Sequence, residues 1–185
     1  MSKIAVWCRH KEDNIIGIGP NIPWHVSSDF KRFQRLTKHK ALLVGQTTYE
    51  SFPNRTLPNR KIYILTFEQD YQVSDPDNHF VIPLETVKDI NEELYISGGA
   101  SIYKLMMEKL MPDFIVDSVY MGDLQEGLTG NPVSITPSVT IMEQAYEKIS
   151  DAFLLDNVET TIWAKKGGTL DETTLAHLKN AIYNY

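Results

Sequence analysis

Three short apolar runs, IAVW at 4–7, ALLV at 41–44 and IYIL at 62–65, limit what this chain can fold into more than any other feature. None alternates with polar residues, so each strand they form is covered on both faces, which is the environment of a parallel sheet between helices. Strands are expected over 3–9, 41–45, 61–66, 79–83, 93–97 and 114–121, with helices over 27–37 and 100–109 and shorter helical pieces over 47–52 and 85–90. Two further strands, near 139–147 and 153–165, read as an antiparallel hairpin at the C-terminal edge. The alternation predicts an α/β fold with a central, mostly parallel sheet and flanking helices. Residues 122–137, with Gly122, Gly127, Gly130, Pro132 and Pro137, form the longest expected irregular stretch.

At 185 residues the chain is long enough for one substantial core and short for two. A net charge of −6 argues against a general nucleic-acid surface, because counterion release needs clustered Lys and Arg. No apolar run reaches membrane-spanning length. The single cysteine, Cys8, reads as a small buried strand residue and excludes an internal disulfide framework. The opening MSKIAVWC has no signal-peptide pattern, so a reducing, cytoplasmic setting is expected. His10, His25, His39, His79 and His177 do not make a close ligand pattern, and no metal site is expected.

The segment IGIGPNIPWHVSSDFKRF at 16–33 sets one acid, Asp29, among residues suited to a dry pocket. Ser27 or Ser28 is the expected N-cap, which puts Asp29 in the first turn, with Phe30 and Phe33 following at helical spacing. An acid there also suits the positive end of a helix dipole, so its position alone has a structural explanation. At Ser97-Gly98-Gly99-Ala100-Ser101 a strand feeds a helix. Glycines there let a phosphate approach the backbone and the free amides of the helix start, although paired glycines also make plain tight turns. Thr47 or Thr48, after Gly45-Gln46, reads as a helix cap when taken alone.

In their order along the chain, IAVWC, IGIGPNIPW, the Asp-bearing helix, LLVGQTTYESF, LPNRKIYILT and YISGGASIYKLM closely resemble dihydrofolate reductase of the bacterial, single-domain kind, from about Ile4 to Lys165. The resemblance implies reduction of 7,8-dihydrofolate to tetrahydrofolate by hydride from NADPH, in one-carbon and thymidylate/purine metabolism, with NADH as a weaker or comparable donor. It implies that Asp29 is the proton source and that Trp24 holds a water near the pterin. The backbones of Ile4 and Ser97 contact the pterin, with Ala5 and Tyr103 beside it. Phe30, Phe33, Phe52 and Leu57 flank the pteridine and benzoyl portions, and Arg60 pairs with the glutamyl α-carboxylate. The nicotinamide is held near Val6, Ile16, Ile22 and Thr48. Gly45, Gln46, Thr47 and Thr48 take the adenosine end and the pyrophosphate, with Leu65 and Thr66 beside them, and Gly98, Gly99, Ala100, Ser101 and Ile102 also meet the pyrophosphate, with a cis Gly98–Gly99 bond. Small antifolate-like molecules are the other implied ligands.

Two departures stand out. Relatives carry basic residues after the glycine and after the LT pair, where this chain has Gln46 and then Phe67-Glu68, so a weaker preference for NADPH is expected. Relatives also place a Thr on a later strand to bond the acid, whereas FIVDSVYMG offers none, leaving Tyr120 or Ser118 as substitutes. A domain over 1–167 and a helical extension over 168–185 are expected, the latter from Leu175, Leu178 and Ile182. It packs on the body of a monomer or mediates self-association. Two alternatives stay open, a related pyrimidine or pterin reductase and a non-catalytic dinucleotide-binding or assembly protein.

Overall fold

A computed structural model describes residues 1–184; Tyr185, the last residue of the expected extension, lies outside the described residues. In chain order the elements are β1 (Lys3–His10), β2 (Ile15–Ile18), α1 (Ser27–Thr37), β3 (Ala41–Gly45), α2 (Gln46–Ser51), β4 (Lys61–Leu65), β5 (His79–Val81), β6 (Leu94–Ile96), α3 (Ala100–Lys109), β7 (Phe114–Tyr120), β8 (Pro132–Ser134), α4 (Thr136–Ala145), β9 (Tyr146–Lys148), β10 (Phe153–Leu155), β11 (Val158–Lys165) and α5 (Glu172–Tyr183). A nine-stranded sheet has the order β10-β11-β7-β1-β6-β3-β4-β5, with β9 also paired to β11. Pairing is parallel from β7 through to β5 and antiparallel where β11 meets β7, β9 and β10.

Alternation along β1 explains how both faces fill. Ala5 and Trp7 point to a cluster closed by Ile102, Tyr103 and Met106 of α3 and Val139 and Met142 of α4. Ile4 and Val6 point to the other side, where Leu36 of α1 and Leu175, Leu178 and Ile182 of α5 cover the sheet. Two polar clusters buried between these layers are paired, as expected in a low-dielectric interior. Asp117 accepts from Trp7 Nε1 at 2.7 Å and from Arg9 Nε at 2.8 Å, and Ser118 Oγ lies 2.9 Å from Thr160 Oγ1.

The region 139–147 departs from the expected strand. Thr136–Ala145 is helix α4, with Pro137 in its first turn where a missing N–H costs nothing. The run SVTIM has β-branched residues, but Ser138, Val139 and Met142 at helical spacing are buried, and that packing overrides strand propensity. Within the expected irregular stretch, β8 pairs with β2 as a separate two-stranded ribbon. Next to it Gly19 N donates to Asn131 O at 2.9 Å. Gly130, at φ +118°, lies so close that a Cβ on it would sit 2.6 Å from Gly19 Cα.

Helix α5 is capped by Asp171, whose side chain accepts from the amides of Thr173 and Thr174, and these bonds hold its carboxyl below the usual carboxylate range. Arg35 Nε of α1 donates to Ala181 O at 3.0 Å, and His177 Nε2 donates to Leu36 O at 2.8 Å. The segment after 168 is thereby attached to the helix that carries Asp29. No helix among the described residues is long and apolar enough to cross a membrane.

Candidate active site

A cavity of about 980 Å³ opens along the ends of β1, β3 and β6, between α1 on one side and α3 with α2 on the other. It follows from the topology, since helices leave neighbouring parallel strands in different directions and open a crevice beyond their carboxyl ends.

Asp29 lies on the α1 side. The helix begins at Ser27 with Val26 as its N-cap and no side-chain cap bond, so neither serine plays the expected capping part. Val26 is drawn inward with Trp24 against Val158, and this packing sets where the chain enters the helix. Asp29 keeps 23% of its side-chain surface, whereas Arg32, one turn on, is almost wholly buried, and Arg32 Nη1 donates to Asp29 Oδ1 at 3.0 Å. From β1 the Cys8 thiol stands near enough to the carboxylate to favour its charged form. Burial raises the Asp29 pKa above the ordinary carboxylate range, and the Arg32 charge, the Cys8 thiol and the Arg32 hydrogen bond oppose it without cancelling it. Burial also pushes the Cys8 thiol well up, with Asp29 adding to the effect, so it remains a protonated donor.

Neither expected substitute for the missing threonine bonds the carboxylate. Ser118 lines the cavity but bonds Thr160, while Tyr120 donates to Asp123 O at 3.2 Å and stacks on Trp24 with ring centroids 4.9 Å apart. Arg32 and Cys8 were missed in the sequence: Arg32 reads as the solvent side of an amphipathic helix, although an Asp–Arg pair three residues apart is itself a signal.

Phe30, Phe33, Leu36, Trp24 and Ile22 line the same part of the cavity, with Val6, Trp7, Cys8 and Val116 from the sheet. Ser97 and Tyr103 line it as well, the Tyr103 hydroxyl donating to Val6 O at 2.5 Å. Ile4 and Ala5 are buried within the sheet, outside the cavity lining. Phe52 and Leu57 pack instead against the Val44, Tyr49, Ile62 and Ile64 cluster. Arg60 is not a wall residue either. Its guanidinium donates to Thr37 Oγ1 at 3.2 Å, Pro58 O at 2.5 Å, Gln34 O at 3.0 Å and Gln34 Oε1 at 2.6 Å, which ties the loop before β4 to the end of α1.

At the other end, Gly98-Gly99 leads into α3, whose N-cap Gly99 makes no side-chain cap bond. The Gly98–Gly99 peptide is cis, and Gly98 has φ +115°. A Cβ on either glycine would stand about as close as 3.4–3.5 Å to Thr48 Oγ1, space that the missing side chains leave to the cavity. Gly45, Gln46, Thr47, Thr48, Leu65, Thr66, Ala100, Ser101, Ile102 and Ile16 complete this wall. Free amides at a helix start and uncluttered backbone suit a pyrophosphate. Gln46 Nε2 donates to Glu50 Oε1 at 3.2 Å and Glu68 Oε2 at 2.9 Å, so two carboxylates flank the mouth of this end. Among the described residues no group of His, Cys, Asp and Glu is arranged to hold a metal ion.

Comparison with known proteins agrees with this geometry. The sequence model of the family described as dihydrofolate reductase matches residues 3–157. The chain is 31% identical over 125 residues to a dihydrofolate reductase of Enterococcus faecium, covering 65% of this chain and 74% of that one. It is 27% identical over 169 residues to dihydrofolate reductase type 6 of Proteus mirabilis, covering 88% and 99%. Among solved structures, a dihydrofolate reductase from Enterococcus faecalis, complexed with NADP(H) and RAB-propyl, superposes with a TM-score of 0.70 at 22% identity, over 89% of this chain and 96% of that one. With the family's pattern running through 3–157 and its fold through nearly the whole chain, this protein belongs to the dihydrofolate reductase family.

Proposed function

We propose that the protein reduces 7,8-dihydrofolate to tetrahydrofolate with NADPH, and that Asp29 supplies the proton. The observation that carries the reading is one continuous cavity with a half-buried carboxyl at one end and the Gly98-Gly99 entry to α3 at the other. When bound, the dinucleotide supplies the hydride. The amides of Gly99, Ala100 and Ser101 and the hydroxyls of Thr47 and Thr48 hold its phosphates, Val6, Ile16 and Ile22 exclude water from the ring, and Gly45, Leu65, Thr66 and Ile102 support the remainder. Phe30, Phe33 and Trp24 wall the pterin, and the backbones of Ile4, Ala5 and Ser97, behind the wall, fix its edge with Tyr103. Asp29 keeps a proton more readily than an exposed acid and delivers it to the ring nitrogen beside the carbon that accepts hydride. Proximity and orientation supply the rest of the acceleration. Because α5 spends Leu175, Leu178 and Ile182 inside the molecule, a monomer is the favoured state, with 168–184 an integral extension of the 1–167 domain. The single thiol suits a reducing cytoplasm.

The test is NADPH oxidation followed by absorbance. Turnover is expected only when dihydrofolate is added, and its absence with either NADPH or NADH would remove the reading. Arg60, occupied by Gln34 and Thr37, favours a second reading in which a pterin without a glutamyl tail is also a good substrate. Running both in the same assay separates them: a glutamyl requirement supports Arg60, with Phe52 and Leu57 beside it, as the tail anchor once Gln34 turns aside.

The flanking carboxylates bear on cofactor choice. Glu50 is held below the usual carboxylate range, first by the Tyr71 hydroxyl and then by Gln46, and the nearest cation, Arg55, is already 3.7 Å from it. A ribose 2′-phosphate therefore meets local negative charge, and NADPH is expected to exceed NADH in affinity by less than is usual for the family. Gln46→Arg should add a charge-assisted contact of about 1.5–3 kcal/mol, roughly one to two orders of magnitude in favour of NADPH. Dissociation constants of both cofactors at low salt check this. A strong wild-type preference for NADPH that the substitution leaves unchanged would mean that other cations make the clamp.

A further inference from the structure

Part of the dinucleotide end of the cavity is carried by an element that cannot hold itself in place. Helix α2 has six residues and no side-chain cap bond, far short of the length at which a helix stands alone in water. Its neighbours in sequence Thr47, Thr48 and Glu50 line the cavity, and Tyr49, the buried residue of the helix, anchors it. Tyr49 Oη accepts from the amide of Ser74 at 2.9 Å and stands 2.8 Å from Nδ1 of His79, which is 3% exposed at the start of β5. Ser74 Oγ donates to Arg55 O at 2.7 Å, so one side chain fastens the segment before β5 and the turn after α2 to the same point. With the Ser74 hydroxyl proton committed in this way, the Tyr49 proton is directed to Nδ1, and the ring is neutral with its own proton on Nε2, facing Thr56 Oγ1 at 3.4 Å. We propose that neutral His79 is a positioning residue for the dinucleotide: it fixes Tyr49, and through it α2 and the segment 66–78, and uptake of a proton by His79 releases this lock and weakens dinucleotide binding. The inference rests on the reading of the Gly45–Thr48 and Leu65–Thr66 wall as the dinucleotide's.

A proton on Nδ1 sets two donors face to face. To relieve this, the Tyr49 hydroxyl must swing to Ser74 Oγ, 3.0 Å away, and its oxygen must accept from the imidazolium and from the Ser74 amide together. The new charge is also buried, which is costly without a partner. From the segment before β5, Asp75 favours the charged ring from a distance, but burial outweighs it and holds the imidazole below its ordinary range. From the turn after α2, Arg55 is itself a cation, 3.7 Å from Glu50 and 6.0 Å from the centre of the Tyr71 ring. Tyr71 meets Tyr49 edge-on at 6.2 Å and donates to Glu50 at 2.8 Å. From β4, the residue opposite His79 is the apolar Ile62. These surroundings select the neutral ring, so the lock is complete above the ordinary imidazole range and is lost as pH falls from there through the folded-state value.

The test uses the full-length protein at pH values about one unit either side of the His79 midpoint, found by NMR titration of its ring. The Kd for NADP+, by calorimetry, should rise on the acid side by a factor about fivefold or more greater in the wild type than in His79→Asn, the low end of ordinary coupling between two sites. Asn keeps an acceptor for the Tyr49 hydroxyl and cannot take the proton. The 2′-phosphate and the other titrating groups are common to both proteins, so the difference belongs to His79. In the free protein the Ser74 amide should lose protection from hydrogen exchange across the same midpoint in the wild type and keep it in His79→Asn. Circular dichroism verifies folding; if His79→Asn does not fold, Tyr49→Phe, which lets His79 titrate without its link to α2, takes its place with the same expectation for NADP+. An equal acid-side factor in wild type and variant, the result of a purely structural His79, overturns the proposal. So does a Ser74 amide whose protection ignores the proton, or a ring that takes up no proton before the protein unfolds. NADP+ that binds at neither pH removes the dinucleotide reading and this proposal together, whereas binding that is blind to His79 removes this proposal alone.

Discussion

Asp29→Asn should lower turnover with dihydrofolate by about 10²–10⁴-fold at neutral pH, the range a positioned general acid contributes, while leaving the fold and dinucleotide binding in place. The amide oxygen of Asn can still accept from Arg32, so the helix and its partner stay together, but no proton is available for delivery. The pH dependence has a definite sign. Burial raises the Asp29 pKa, and the protonated fraction falls as pH rises through it, so wild-type turnover declines toward alkaline pH. At low pH solvent protons reach the substrate directly, and the deficit of the variant should narrow there. Rapid-mixing measurement of the hydride-transfer rate across pH checks both features. A variant whose profile overlays the wild type would place protonation elsewhere.

The second large effect is on stability. Leu178 is fully buried against Leu36 and the sheet residues Ile4 and Val116, although it belongs to the segment beyond the family's matched residues. Leu178→Ala should cost about 2–5 kcal/mol through lost burial and a residual cavity. At this chain length that corresponds to a fall in Tm of the order of 10 °C. Because α5 holds α1 through Arg35 and His177, the loss should also raise the KM for dihydrofolate. Thermal unfolding by circular dichroism measures the first, and an unchanged Tm would mean that α5 is peripheral to the domain.

How much of this was readable from sequence depended on whether local pattern and tertiary demand agreed. The bounds of α1, β3 and α3 coincide with the sequence expectation, because apolar period, helix entry and length all point the same way there. In α4 they conflict: β-branched residues in PSVTIM suggest a strand, and only the packed position of Val139 and Met142 decides for helix. The cavity wall was legible where a glycine or an aromatic residue carried the signal. Arg32 and Cys8 were not, since a charge in a helix and an isolated thiol have a bland reading until the fold brings both to Asp29. Arg60 shows the converse. Its residue type suggested an open cation, while the fold surrounds it with the acceptors of Gln34, Thr37 and Pro58.

The close contact of Gly19 and Gly130 ties one edge of the cavity to the β2–β8 ribbon. Residues 17–21 form part of the cavity wall, and among the described residues β2 and β8 pair with each other and with no strand of the large sheet. Outward displacement of 17–21 must therefore break the Gly19–Asn131 bond and the short β2–β8 ladder, or carry 130–134 along as one flap. Either route exchanges a few hydrogen bonds of about 0.5–1.5 kcal/mol each and leaves the sheet intact. Displacement of this wall is in this way uncoupled from global unfolding, because it costs only a two-stranded ribbon while the strands that floor the cavity stay paired.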